Sequence, residues 1–449
     1  MSASIPPIGR QTNETLIDAA GNATSIQATH PAAKQATQPK VPRGVDRQLV
    51  MATIGKFVVC LGFRLPYVFL TPISKQLGTT IGHLGSLMAI GELTGLLTGI
   101  IGRSLDRGKF RFWLTMGSGS TIGGVAIMGT AATDQIHSST LFALGFAVTA
   151  LGVAMFTTSA HAWLGASVPY ASRGWSMGRL ETSWAFAVLI GAPIFGMVIS
   201  LFNVSTMFAG LVFLSTLSTW SVWKIFSEPH STDLADSSHA SLDRSTTDSE
   251  VNHYAATVAP SGSPEAKALL RRITAALVCS AAMSFGSICI FSVYGSWLTE
   301  RFGLSIRAVG LFSVFVGLAE LGASTLSSLK TDQWGKRRSV AMGSLVMLAG
   351  MVGIGIVPKV TVLGVGVLVL MFLGFEFGYV SLLSVISEVG EHRKGTVLSI
   401  DHALSPLGRA GAAALATNLF DAHGIAPISL IAGVASIVAF SAIRFATRS

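Results

Sequence analysis

Twelve apolar stretches of about 20 residues run through this chain, and they limit its fold more than any other feature. They fall at approximately 50–72, 80–103, 112–131, 141–165, 176–200, 205–226, 273–298, 306–329, 339–358, 361–386, 396–419 and 426–445. Each is long enough to cross the roughly 30 Å hydrocarbon core of a bilayer as a helix. Lipid offers no partner for a free backbone N–H or C=O, so such runs are expected to be helical throughout. The expected fold class is therefore all-α, a polytopic membrane protein with twelve transmembrane helices. Composition agrees: half of the 449 residues are hydrophobic, 12% are charged and mean hydropathy is +0.60. Soluble domains carry about 25% charge. The 48 glycines suit close helix–helix approach in lipid.

A net charge of +9 invites a nucleic-acid reading, but its distribution argues for topology instead. With loops numbered alternately, basic residues crowd one side: Arg43 and Arg47 before the first run, Arg103, Arg107, Lys109 and Arg111 in the second loop, Lys330, Lys336, Arg337 and Arg338 in the eighth. The opposite side has only Lys75, Arg301, Arg307 and Lys359. By the positive-inside rule both termini are expected in the cytoplasm and the chain in the cell membrane. Cys60, Cys279 and Cys289 all lie in apolar runs, so neither a disulfide framework nor a metal site is expected. Residues 1–48, rich in Ser, Thr, Gln, Ala and Pro, are expected to be a disordered cytoplasmic tail. They lack the short apolar core and cleavage site of a signal peptide.

Between the sixth and seventh runs lies the polar segment 227–270, which includes STDLADSSHASLDRSTTDSE and reads as a cytoplasmic linker. It divides the chain into two six-helix bundles, 49–226 and 271–446. Two repeats support the division. GRSLDRGKFR at 102–111 and SSLKTDQWGKRR at 327–338 occupy the same loop of each half, after its second run. VPYASRGWSMG at 168–178 likewise matches VGEHRKGTVLS at 389–399. Paired six-helix repeats are an organisation expected of secondary transporters.

On these motifs the chain resembles the major facilitator superfamily over about 50–446. That family's loop runs Gly, three residues, Asp, a basic residue, then Gly and a basic cluster. Gly102, Asp106, Arg107, Gly108, Lys109 and Arg111 fit it with one residue fewer between Asp and Gly. Asp332, Gly335, Lys336, Arg337 and Arg338 fit in the second copy, where Ser328 replaces the leading Gly. The resemblance implies two pseudo-symmetric bundles that alternate about a central cavity. Asp106 lies four residues after Gly102, on one helix face. Its carboxylate, like that of Asp332, can meet a helix N-terminus or a basic residue across the halves and latch one conformation; the charges could equally serve topology alone.

Ionisable groups inside the membrane cost about 2.5–3.5 kcal/mol each on insertion scales, so each needs a reason. Arg64, Glu92, His161, Glu181, Glu320, Glu376 and Arg409 all lie in or at the edge of apolar runs. In the resembled family, helices 1, 4, 7 and 10 line the cavity. The resemblance therefore places Arg64, His161 and Glu376 on the pathway, and Glu92, Glu181, Glu320 and Arg409 between helices. Glu376, flanked by Phe375 and Phe377, is the sharpest candidate: a carboxyl in so apolar a setting holds its proton more readily, as a proton carrier must. The alternative is a fixed Glu376–Arg64 ion pair. Arg64 can also bind a substrate anion. His161 can carry a proton on the pathway or be simply hydrogen-bonded. Tyr294 and Trp297 can stack an organic solute, or Trp297 can anchor the membrane interface. GAPIFG at 191–196 resembles the antiporter motif of drug:proton exporters, with Gly191, Pro193 and Gly196 suited to a bend against the other half. Val148 stands where those exporters usually carry an arginine.

No Ser–His–Asp arrangement, HExxH, phosphate loop or Cys/His cluster argues for an enzyme, a cofactor or a metal. Lone buried charges in paired halves suit alternating access better than a channel. Three readings remain at this level: a proton-coupled exporter of a small organic solute, a proton-coupled importer of an organic anion through Arg64, and a non-transporting membrane sensor or assembly factor. One chain suffices for the two-half design, so a monomer is expected, with the solute, protons and lipid as its partners.

Overall fold

The computed structural model describes residues 43–105, 107–168, 170–226, 264–389 and 394–445, and among them every regular element is a helix. Asp106, residues 1–42 of the expected tail and residues 227–263 of the expected linker lie outside the described residues. The described residues form one compact unit.

The helices follow the apolar runs. The first run gives α1 (Arg43–Val68) and α2 (Leu70–Gln76); the second gives α3 (Ile81–Glu92), a 3₁₀ stretch Leu93–Ile101 and α4 (Gly102–Leu105). Then come α5 (Phe110–Ala131) and α6 (Ser139–Ser167). The fifth run is α7 (Tyr170–Phe186), a π turn Ala187–Gly191 and α8 (Ala192–Leu201), and the sixth is α9 (Val204–Ile225). The second half contains α10 (Pro264–Phe291), α11 (Tyr294–Phe302), α12 (Ile306–Trp334), α13 (Lys336–Ile356), α14 (Thr361–Val389), α15 (Lys394–His423) and α16 (Ile425–Phe445). Among the described residues, nine helical stretches are long and apolar enough to cross a membrane. The second, third and eleventh runs fall outside that set. The second is interrupted by its 3₁₀ stretch, α5 is rich in Gly, Ser and Thr, and α15 carries Arg409 and Asp421.

Two expected boundaries move. The last residues of the tail belong to α1, whose first turn carries Asp46; a carboxylate there complements the helix dipole, and it accepts from Arg179 at 3.0 Å. The last residues of the linker belong to α10, which starts at Pro264, a residue that fits the first helical position because its missing N–H is not needed there.

Side-chain caps cluster at the end opposite the termini, here called the distal end. Thr80, Ser138, Asn203 and Ser305 each accept a backbone N–H at the starts of α3, α6, α9 and α12, satisfying donors a helix leaves unpaired. At the other end, Gly108 and Gly335 turn the chain into α5 and α13 with φ of 77° and 87°, a region that favours glycine. The two copies of the basic motif thus use their glycines alike.

The halves meet closely at the distal end. Asp421 Oδ2 of α15 accepts from the Gly82 N–H at the start of α3 at 2.6 Å, and Asn418 donates to Ser86 at 2.6 Å. In a separate contact between the halves, α8 lies against α12 so tightly that a Cβ on Gly310 would sit 2.5 Å from the Ala192 carbonyl oxygen. Close approach of this kind lets backbones pack without a hydrophobic driving force. Gly310→Val is expected to part this seal. A cysteine reporter at Ser86 should then react with a distal-side, membrane-impermeant thiol reagent several-fold faster than in the Gly310 background; equal rates would show that the contact does not hold the end closed.

Candidate functional site

Three polar contacts of α1 organise the middle of the protein. Residues 56, 60 and 64 recur every four positions and so share a face. Lys56 and Arg64, eight residues apart, are separated by about 12 Å along the axis. Arg64 is 7% exposed and forms a bidentate pair with Glu320 of α12, at 2.7 and 3.0 Å. It also donates to the Trp184 carbonyl at 2.7 Å, and its guanidinium lies over the Phe291 ring at 4.5 Å. The pair joins the two halves. Tyr67, one turn on, donates to Glu92 Oε1 at 2.6 Å, and Glu92 Oε2 accepts from Arg409 Nε of α15 at 3.0 Å. This second link also crosses between halves.

The third contact stays within the first half. Lys56, fully buried, donates to Glu181 Oε1 at 2.7 Å, and His161 Nε2 meets the same oxygen at 2.6 Å. An ionised carboxylate only accepts, so Nε2 holds the proton in this contact. The Glu181 side chain remains 38% exposed.

Glu376 differs from all of these. It sits at the middle of α14, half-buried, and among the described residues it has no hydrogen-bond or ion-pair partner. It is close enough to Glu320, Arg64 and Glu181 for their charges to act on it. Arg64 and Lys56 bond the carboxylates of Glu320 and Glu181, and Arg409 Nε bonds that of Glu92. Among the described residues of these spans, Glu376 is a carboxyl with no cation bonded to it.

A family profile described as Major Facilitator Superfamily matches residues 52–413. The chain belongs to that superfamily. An "Uncharacterized MFS-type transporter YwfA" from Bacillus subtilis (strain 168) is 22% identical over 316 residues, covering 70% of this chain and 72% of that protein. The fold is similar to a crystal structure of a D-xylose-proton symporter, with a TM-score of 0.69 and 15% identity over 90% of this chain and 97% of that one. It is also similar to a partially occluded inward-open conformation of the xylose transporter XylE from E. coli, with a TM-score of 0.65 and 15% identity over 89% and 97%. These structures share the major facilitator fold with this chain, an all-α membrane architecture of transporters.

Within this major facilitator fold, several sequence expectations are corrected. Arg64 pairs with Glu320 and not with Glu376, because its guanidinium is engaged by the Glu320 carboxylate and the Trp184 carbonyl. Glu181 does not bridge the halves; its partners Lys56 and His161 belong to its own half. Tyr294 is fully buried, bonded to Ser313 at 3.1 Å and packed against Phe291 and Phe372, so its ring is not open to a solute. Trp297 is buried too, edge-on to Phe302, and is not an interfacial anchor. Asp332 makes no latch across the halves: its side chain is 85% exposed, with Lys336 of the same turn 3.9 Å away. The continuous helix through Trp334 leaves it facing solvent. Arg107 is likewise exposed in its turn, Arg337 lies in the first turn of α13, and Gly102 begins α4. Pro193 follows the π turn at the start of α8, beside the tight contact with α12.

Sequence reasoning missed Lys56, Tyr67 and Asp421. A signal existed for Lys56, a charge inside the run 50–72 and two helical turns before Arg64. At the distal end, Glu300 of α11 is held above the usual carboxylate range by partial burial and by the charge of Asp421, with Lys75 opposing. A carboxyl whose pKa is raised on folding contributes stability at low pH that is lost as pH rises through the raised value.

Removing one partner of a buried pair leaves the other charge uncompensated, which costs about 3–5 kcal/mol, whereas replacing both by apolar groups is often neutral. Glu320→Gln should therefore lower the thermal midpoint in detergent markedly, and the double variant Arg64→Met/Glu320→Leu should recover most of the loss. A double variant as unstable as the single one would show that the pair does not act as a unit.

Proposed function

We propose that the protein is a proton-coupled secondary transporter that moves a small organic solute across the cell membrane by alternating access, with export as its direction. It works as a monomer with both termini in the cytoplasm. The observation that carries this reading is the unmatched carboxyl of Glu376 amid three matched ion pairs. Such a group is balanced by a proton or by a cationic solute, and exchange between the two couples their movements. With a proton on Glu376 the buried charges cancel and the halves can close about the site. With the proton gone, one negative charge is left at mid-membrane and favours the state that hydrates or neutralises it. Such differential stabilisation is what shifts a two-state equilibrium.

The organic-anion reading rested on Arg64, whose guanidinium is already engaged by Glu320 and the Trp184 carbonyl. The site therefore suits a neutral or cationic solute better. Export is supported by GAPIFG, whose Ala192 and Gly196 lie against α12 of the other half as a bend motif requires. A second reading, symport with the proton, is supported by the likeness in fold to a D-xylose-proton symporter.

Reconstituted protein with a pH dye inside the vesicles separates the two. Exchange should move protons opposite to the solute, and symport with it. Glu376→Gln is expected to fold and to bind solute with its pH dependence lost. A Gln variant that keeps the full pH dependence would remove Glu376 from the coupling.

A further inference from the structure

We propose that a groove between the start of α10 and the end of α16 binds the headgroup of an anionic phospholipid. The groove is a shallow, open depression of about 510 Å³, lined by Lys267, Leu270, Arg271, Thr274 and Val278 of α10 and by Ala442 of α16. The α10 residues recur at three- and four-residue intervals, so they form one stripe along the helix. Its chemistry changes along the axis, with two cations first, then a hydroxyl, then an apolar floor.

That order matches the depth profile of a bilayer. α10 has 28 residues and is about 42 Å long, more than the hydrocarbon core requires. Its apolar run begins near residue 273, so Lys267 and Arg271 stand at headgroup level while Val278, about 10 Å deeper than Arg271, stands among acyl chains. The other wall agrees, because Ala442 lies three residues before the end of α16. Val278 is 41% exposed, so the apolar floor of the groove faces lipid and not another helix, while Leu270, 65% exposed, stands between the two cations at headgroup level.

The cations are available. Among the described residues neither Lys267 nor Arg271 has a hydrogen-bond or ion-pair partner, whereas Arg272, next in the chain, is turned inward and has contacts of its own. Lys267 and Arg271 are one turn apart, a spacing of about 5–6 Å between Cβ atoms that lets both reach one phosphodiester. Thr274, a further turn inward, can donate to a phosphate or glycerol oxygen. Basic pockets between transmembrane helices favour anionic headgroups for this reason. An apolar floor continuous with the acyl region selects a phospholipid over a free phosphate ion.

The test uses the full chain purified in mild detergent, with phosphatidylglycerol or phosphatidylcholine added and retained lipid counted by native mass spectrometry. The intact protein should retain phosphatidylglycerol in preference to phosphatidylcholine. Lys267→Gln/Arg271→Gln should lose that lipid roughly tenfold or more, as expected for removing two cations near the surface. Its thermal midpoint in lipid-free detergent should stay unchanged, which confirms that the variant folds. A Lys330→Gln/Arg338→Gln control, which removes equal charge at another basic turn, should keep the lipid. Three results would overturn the proposal: equal retention of the two lipids, equal loss in the control, or displacement of phosphatidylglycerol by millimolar inorganic phosphate.

Discussion

The bidentate contact between Arg64 and Glu320 is the constraint around which the rest of this molecule is arranged. It places two full charges in the middle of a membrane protein, each less than a tenth exposed, where isolated charges are costly. The geometry offsets that cost with two parallel hydrogen bonds, a third to the Trp184 carbonyl and an aromatic face beneath the guanidinium. Because its partners come from opposite halves, any motion of one half against the other must stretch this contact or carry it along. A pair of this kind defines discrete states better than an apolar interface, which slides with little preference for one register.

Helix α1 is the element that distributes this polarity. Lys56, Arg64 and Tyr67 donate to Glu181, Glu320 and Glu92, three carboxylates on three different spans. Two of these contacts reach the second half, directly through Glu320 and through the Glu92–Arg409 link. The donors stand on one helix and the acceptors around it, so a small rotation of α1 disturbs all three contacts together. Cys60, between Lys56 and Arg64, is buried on the same face, and fills the space between the two charges without adding another.

Much of this plan is legible in the sequence, and what is not has a physical cause. Runs of apolar residues mark the spans because lipid forces backbone bonding within each helix, and the paired basic turns mark the two halves. The buried charges at 64, 92, 320, 376 and 409 are visible as breaks in apolar runs. Their pairing is not visible, because the partners are hundreds of residues apart, 256 for Arg64 and Glu320. The choice between Glu320 and Glu376 depends on the rotation of α12 and α14 about their axes. Asp421 stands near the end of its span, where polar side chains ordinarily reach for water, and Lys56 sits in mid-span with its partner Glu181 125 residues away. Only the folded structure shows Lys56 turned inward and Asp421 capping a helix of the other half.

The π turn at Ala187–Gly191 has a geometric consequence for the fifth span. In an uninterrupted α-helix, residues 181 and 192 are eleven steps apart and would point within about 20° of each other. A π turn absorbs one surplus residue, which rotates everything beyond it by about 100° relative to everything before. Glu181 can therefore look inward to Lys56 and His161 while Ala192, on the same rod, presses on Gly310 of the opposite half. One local defect in winding thus allows a single helix to serve two neighbours that lie on different sides of it.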